Sequence, residues 1–160
     1  MGSYQPERFR ILALDDEPHI LDLYKEFLSS ESLSNPFELT PCHHAEEAVD
    51  AVRAALKRET PFAVAFLDVR LPSGPDGVWA AGQIRALDPD MEILMVTGHS
   101  DIDPAQMAKR VPPAHKLLYI RKPFLPEEIK QFAVSLSAKW QQQKRLNNML
   151  SDLEARVGEG

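Results

Sequence analysis

The chain has 160 residues, of which 44% are apolar and 26% charged, and its 24 acidic side chains outnumber 18 basic ones for a net charge of −6. That length buries a full core in one domain with room for an appendage, and the acidic balance disfavours a non-specific hold on nucleic acid or on an anionic membrane. A single cysteine, Cys42, excludes an internal disulfide, and no stretch is apolar enough to span a bilayer or form a signal-peptide core, so a cytoplasmic location is expected.

Short apolar runs alternate with helical patterns along the chain, without internal repeats. Residues 9–14, FRILAL, are strand-length, and Pro18 then suits the first position of a helix. In that helix Ile20, Leu21, Tyr24, Phe27 and Leu28 recur at helical spacing. Residues 36–42, PFELTPC, form a weaker strand whose two prolines predict a sheet edge. An Ala-rich helix is predicted over 45–58, with Ala48, Val52, Ala55 and Leu56 facing inward. Then come an apolar strand at 62–67, a helix at 78–87, a strand at 93–96 and a short helix at 104–110. A fifth strand at 116–120 and a long helix from Glu127 complete the chain. Strands apolar on both faces and separated by helices imply a parallel sheet covered on each side. Right-handed crossovers then make it a doubly wound α/β sandwich, in which ligands sit beyond the carboxyl ends of the strands.

Those strand ends carry the chemistry. Strand one is followed by Asp15, Asp16 and Glu17, strand three by Asp68, strand four by Thr97-Gly98 and strand five by Lys122-Pro123. Three aspartates at one rim repel, raising at least one pKa, unless a cation joins them. A hard divalent ion such as Mg²⁺ resolves the repulsion while taking few carboxylates and keeping waters. A lysine and a hydroxyl nearby suit the oxygens of a phosphoryl group, so Asp68 is a candidate nucleophile beside a metal.

On these residues the chain resembles the response-regulator receiver family of two-component signalling, over roughly residues 9 to 136. LDDE supplies the acidic pair Asp15 and Asp16, FLDV the phosphoacceptor Asp68, MVTG the switch hydroxyl Thr97, and RKPF the Lys122-Pro123 pair. Each tetrapeptide alone is weak; all of them in order, each at a strand end, are specific. The resemblance implies a flavodoxin-like five-stranded parallel sheet of order 2-1-3-4-5. It implies phosphoryl transfer onto Asp68 from a histidine kinase or phosphotransfer protein. Mg²⁺ would be held by Asp16 and Asp68, by Asp15 through water, and by the backbone carbonyl of Arg70. It further implies that Lys122 pairs with a phosphoryl oxygen, that Thr97 and Tyr119 act as the switch, and that the peptide before Pro123 is cis. Such a domain catalyses its own phosphoryl transfer and hydrolysis without being a multiple-turnover enzyme.

The chain departs from the family's pattern in two loops. Three residues, Ser73, Gly74 and Pro75, stand where the family usually has two, and the stretch from Thr97 to Lys122 is longer and carries RVPPAHK. Arg70 and His99 occupy flanking positions that the family varies to tune phosphoryl lifetime. Plainer readings stand beside these. Asp15, Asp16 and Glu17 alone would be acidic capping of the next helix, and Lys122 alone a surface lysine. His43-His44 lacks partners at ligand spacing and reads as a solvated loop; Cys42 reads as inert.

The resemblance ends near residue 138, which divides the chain into a receiver, 1–138, and a helical extension, 139–160. Ile129, Phe132, Leu136, Lys139, Gln143, Leu146, Leu150, Leu153 and Val157 follow steps of three and four, an unbroken heptad register with two polar breaks. A parallel homodimer through Leu146, Leu150, Leu153 and Val157 is expected, against the plainer alternative of an exposed amphipathic helix. No basic recognition helix, ATP-binding signature or cyclase motif is present, so direct nucleic-acid binding is not expected. The expectation is a fragment of a larger sensor or regulator, or a stand-alone relay. Two other functions compete. A phosphorylation-independent adaptor would not need the full residue set. A haloacid-dehalogenase-like phosphatase wants an acid two residues after its nucleophile, where this chain has Arg70.

Overall fold

The computed structural model describes residues 8–28, 36–72, 74–98 and 103–159. Five strands alternate with helices: β1 (Phe9–Leu14), α1 (Pro18–Leu28), β2 (Phe37–Cys42), α2 (Ala45–Lys57), β3 (Val64–Asp68), α3 (Gly77–Leu87), β4 (Glu92–Thr97), α4 (Pro104–Arg110), β5 (Leu117–Arg121) and α5 (Pro126–Glu159). A single 3₁₀ turn, Ala114–Lys116, leads into β5.

All four strand pairings are parallel, in the order β2-β1-β3-β4-β5. The expected doubly wound sheet is thus the observed one, and the proline-bearing β2 is an edge strand. Strand order reverses between β1 and β3, which opens the crevice at their carboxyl ends.

The central strands are dry on both faces: residues 64–68 of β3 and 92–96 of β4 are all buried. Each face packs its own core. On one side lie the inward residues of α2 and α3 with Met107 of α4, against Leu12, Leu14, Leu67 and Met95. On the other lie Leu21, Tyr24 and Leu28 of α1 and Ile129, Ala133 and Leu136 of α5, against Ile11, Ala13, Phe66 and Val96. The alternation of side chains along each strand divides its residues between the two cores.

Helix α5 is 34 residues long, about 51 Å at 1.5 Å per residue. Its packing on the sheet does not stop at residue 138. Trp140 is buried, with its ring edge-on to Phe9 at a centroid distance of 6.3 Å, and Lys144 pairs with Asp90 at 3.1 Å. A division at 138 would cut through this contact. From Leu146 onward the helix stands clear: Leu146, Met149, Leu150, Leu153 and Val157 are each more than half exposed. The heptad register therefore serves two surfaces. Ile129 and Leu136 face the domain's own core, and the later positions face outward. Among the described residues, no helix is long and apolar enough to cross a membrane.

Candidate functional site

β1 and β3 end side by side at the crevice, and each ends in an acid. Asp15 follows β1 directly, tied to the edge strand by its N–H donating to the Cys42 carbonyl at 3.1 Å, and is fully buried. Its Oδ1 accepts from the Glu17 N–H at 2.9 Å, which folds the acidic loop back over the strand end. Asp68 is the last residue of β3 itself and only 6% exposed. Its Oδ1 accepts from the Arg70 N–H at 3.3 Å. Asp16 is half-buried beside them. Oxygens of Asp15, Asp16 and Asp68 lie within 4.8 Å of one another, the one set among the described residues spaced to hold a metal ion.

Lys122 supplies the opposing charge. Its Nζ donates to Asp15 Oδ2 at 2.7 Å and to Asp68 Oδ2 at 3.3 Å, while its backbone N–H donates to the Thr97 carbonyl at 2.8 Å. That backbone bond places the lysine at the tip of β5, next to the end of β4, and the Lys122-Pro123 peptide is cis. Phe124, two residues on, stacks on Tyr24 of α1 at 5.3 Å, and Tyr24 in turn packs on Phe66 of β3 at 5.4 Å. The aromatic stack holds the lysine's loop against the strand that carries Asp68.

One ammonium does not balance this many carboxylates. Burial pushes the Asp68 carboxyl up to about 6, against the pull of Lys122 and with the added repulsion of Asp15. Burial works against the charged form of Lys122 as well, yet its hydrogen bond to Asp15 and the charges of both aspartates hold it above the usual lysine range. The Tyr24 phenol is raised by burial and then by the fields of Asp15 and Asp68. A nucleophilic carboxylate, a cation beside it and a negative field around both make a site that recruits further positive charge.

The sequence pattern did not single out Gly77, which makes this geometry possible. A Cβ there would sit 1.7 Å from the Asp68 carbonyl oxygen and 3.1 Å from the Val69 Cα. The missing side chain lets the first turn of α3 close on the end of β3, where the Gly77 N–H donates to the Val69 carbonyl at 3.1 Å. Asp76 caps the helix by accepting from the Trp79 N–H at 2.9 Å. The cleft above is lined by Asp16, Asp68, Arg70, Leu71, Pro72 and Lys122.

Thr97 ends β4 at the rim and is partly exposed. Tyr119 lies on β5 opposite Met95 and packs against the α2–α3 core. Its buried hydroxyl has no hydrogen-bond partner among the described residues, and burial followed by the Asp103 charge raises its pKa. His99 and Ser73 lie outside the described residues. His43 is exposed, with its Nδ1 3.9 Å from Glu47 Oε1.

Residues 11–133 match the family model of the response regulator receiver domain. The chain belongs to the response-regulator receiver family. The receiver is 32% identical over 158 residues to the alginate biosynthesis transcriptional regulatory protein AlgB of Pseudomonas putida, and 33% identical over 158 residues to AlgB of Pseudomonas aeruginosa. The alignments cover 98% of this chain and 31% of each relative, so the chain spans about a third of the length of these curated relatives. Among solved structures, an adenylate cyclase from Rhodopirellula baltica superposes with a TM-score of 0.72 at 27% identity, covering 90% of this chain and 98% of that one. NtrX from Brucella abortus in complex with ADP gives a TM-score of 0.69 at 25% identity, over 89% of this chain and 30% of the other. A phosphoacceptor role in two-component signalling is what such a receiver supports.

Proposed function

We propose that Asp68 accepts a phosphoryl group from a phosphohistidine on a histidine kinase or phosphotransfer protein. The resulting change passes through Thr97 and Tyr119 to a dimeric C-terminal helix. The observation that carries this reading is the buried Asp68 carboxylate, 3.3 Å from Lys122 and grouped with Asp15 and Asp16.

An Asp68 oxygen attacks phosphorus as the P–N bond breaks and the electron pair leaves with the donor imidazole. Charge spreads over the equatorial oxygens in the transition state, so catalysis rests on positioning and electrostatics. Lys122, already oriented by Asp15, swings the short distance from Asp68 Oδ2 to a phosphoryl oxygen. The donor set fits Mg²⁺, a hard ion that prefers oxygen; Asp16 and Asp68 would hold it, with Asp15 through water and the Arg70 carbonyl, and it supplies neutralisation of the phosphoryl oxygens. Thr97 offers its hydroxyl to the same group from the end of β4. Tyr119 can follow at low cost, because no described partner holds its hydroxyl in place.

The free end of α5 supports the dimer. Leu146, Leu150, Leu153 and Val157 are 54%, 57%, 55% and 79% exposed, and burying what remains exposed of each contributes roughly 1–2 kcal/mol. A second copy laid parallel buries them all, and the boundary between receiver and coiled coil then falls near residue 145. By analogy with AlgB, named a transcriptional regulatory protein, the dimer would hand its state to a paired output. Incubation with acetyl phosphate and Mg²⁺ should add one phosphoryl group to the wild type and none to Asp68→Asn by intact mass. Equal modification of both would refute the reading.

A further inference from the structure

We propose that Glu92 and Lys139 form a breakable joint through which the state of the Asp68 site reaches helix α5. The inference rests on the phosphoacceptor reading and concerns the opposite end of the sheet. β4 runs from Glu92 to Thr97, so its two ends lie about 16 Å apart at roughly 3.3 Å per residue. Thr97 stands at the phosphoryl site. Glu92, whose side chain is 1% exposed, grips two cations at the base. Its Oε2 accepts from Lys116 Nζ at 2.8 Å and its Oε1 from Lys139 Nζ at 2.9 Å.

Lys116 directly precedes β5, the strand that carries Tyr119. Both strands bearing switch residues therefore end in the same carboxylate. Lys139 also donates to the His115 carbonyl, so it reads the relative position of the two strand bases. His115 and Lys116 belong to the RVPPAHK stretch that lengthens this chain between Thr97 and Lys122.

The grip is asymmetric, and this makes it a joint rather than a rivet. The Lys116 side chain is 6% exposed and that of Lys139 is 43% exposed. A buried carboxylate that loses its only partner is left as an uncompensated charge. Here Lys139 can withdraw into water while Glu92 keeps Lys116. Two arrangements of one element, neither orphaning a buried charge, are what a coupling device needs.

Lys139 is also placed where a small movement has leverage. Trp140, the next residue, is the last buried apolar contact of α5, and Lys144–Asp90 is a pair about one-third exposed on both sides. Beyond them the exposed stripe runs from Leu146 to Val157. Release at Lys139 changes the direction in which roughly 30 Å of helix leaves the domain.

The chain has two tryptophans, Trp79 and Trp140, so Trp79→Phe leaves a reporter beside the joint. The full chain in this background is titrated with beryllofluoride and Mg²⁺, with fluorine NMR reading occupancy at Asp68 and fluorescence reading Trp140. The joint predicts a saturable change in Trp140 emission that tracks the bound resonance. Lys139→Met should keep the resonance, lose the emission change, and shift beryllofluoride affinity about fivefold or more, because coupling between sites is reciprocal. Lys139→Arg should restore the response. A full Trp140 response in Lys139→Met overturns the joint. So does a parent that binds beryllofluoride with no response at Trp140. If the parent shows no bound resonance, the phosphoacceptor reading fails and the joint falls with it.

Discussion

The two ends of the sheet handle buried charge in opposite ways. At the carboxyl rim, three aspartates face one lysine, Lys122 bridging Asp15 and Asp68. At the amino rim, the buried carboxylate of Glu92 faces two lysines. There the Arg85 guanidinium also ties loose carbonyls together, donating to Met91 at 2.5 Å and to Lys116 at 2.9 Å. The Glu92 carboxylate at the lower rim is paired on both oxygens, and the bonds there fasten α3, β4, β5 and α5 to one another. The upper rim leaves negative charge in excess, which is costly in isolation and useful when a cation and a phosphoryl group arrive. At Glu92 the charge is paired and joins elements to one another; around Asp68 it is left in excess, ready for a cation.

Breaking the lower rim should cost the most stability. Lys116→Met removes the buried partner of Glu92 and leaves the carboxylate to the half-exposed Lys139, so we expect a loss of about 3 kcal/mol in urea unfolding. A loss below about 1 kcal/mol would show that the lower rim is not the scaffold the comparison makes it.

Gly77→Ala comes next. Its methyl group would overlap the Asp68 carbonyl, and the first turn of α3 must back away at a cost of about 2–3 kcal/mol. Because the displaced atoms belong to Asp68 and Val69, the variant should also slow acetyl phosphate modification. Unchanged stability and rate would mean that the close approach of α3 does not position the acid.

The upper rim should respond with the opposite sign. Asp68→Asn removes a charge that the fold disfavours, so in chelator it should raise stability by about 1–3 kcal/mol at about pH 7.5. The folded carboxyl titrates at about 6, above its ordinary 3.8. Its protonated form therefore contributes stability below that ordinary value, and the contribution is lost as pH rises through about 6. The advantage of the asparagine variant should shrink on acidification and vanish near pH 4. A constant gap across that range would place its origin elsewhere.

Smallest of all is Lys144→Ala. Its pair with Asp90 is about one-third exposed on both sides, and removal should cost no more than about 0.5 kcal/mol by the same measurement. A loss comparable to that of Lys116→Met would erase the distinction between the buried grip and the exposed clip.

The upper rim was legible in the sequence for a physical reason. Parallel strands buried on both faces read as short apolar runs, so the acids, hydroxyl and lysine that follow them stand out, and topology brings them together. Boundaries shifted by a residue or two: Asp68 completes β3 and Glu92 opens β4. The second shift concealed most. Glu92 falls just outside the strand expected at 93–96, and it is buried at the centre of the lower rim. Its partners Lys116 and Lys139 lie 24 and 47 residues away, and no local pattern links them. Lys139 read as a polar break in a heptad because a linear register cannot say which of two surfaces each position faces. Gly77 escaped because a close backbone approach leaves no periodic trace.

The most direct test of the central claim is the Mg²⁺ dependence of thermal unfolding in the wild type and in Asp16→Ala. If uncompensated charge at the upper rim is a cation site, Mg²⁺ at about a hundred times its dissociation constant should stabilise the wild type by about 2.7 kcal/mol. Asp16→Ala should lose most of that gain while starting no less stable in chelator. Equal Mg²⁺ stabilisation of both proteins, or none of the wild type, would contradict the account.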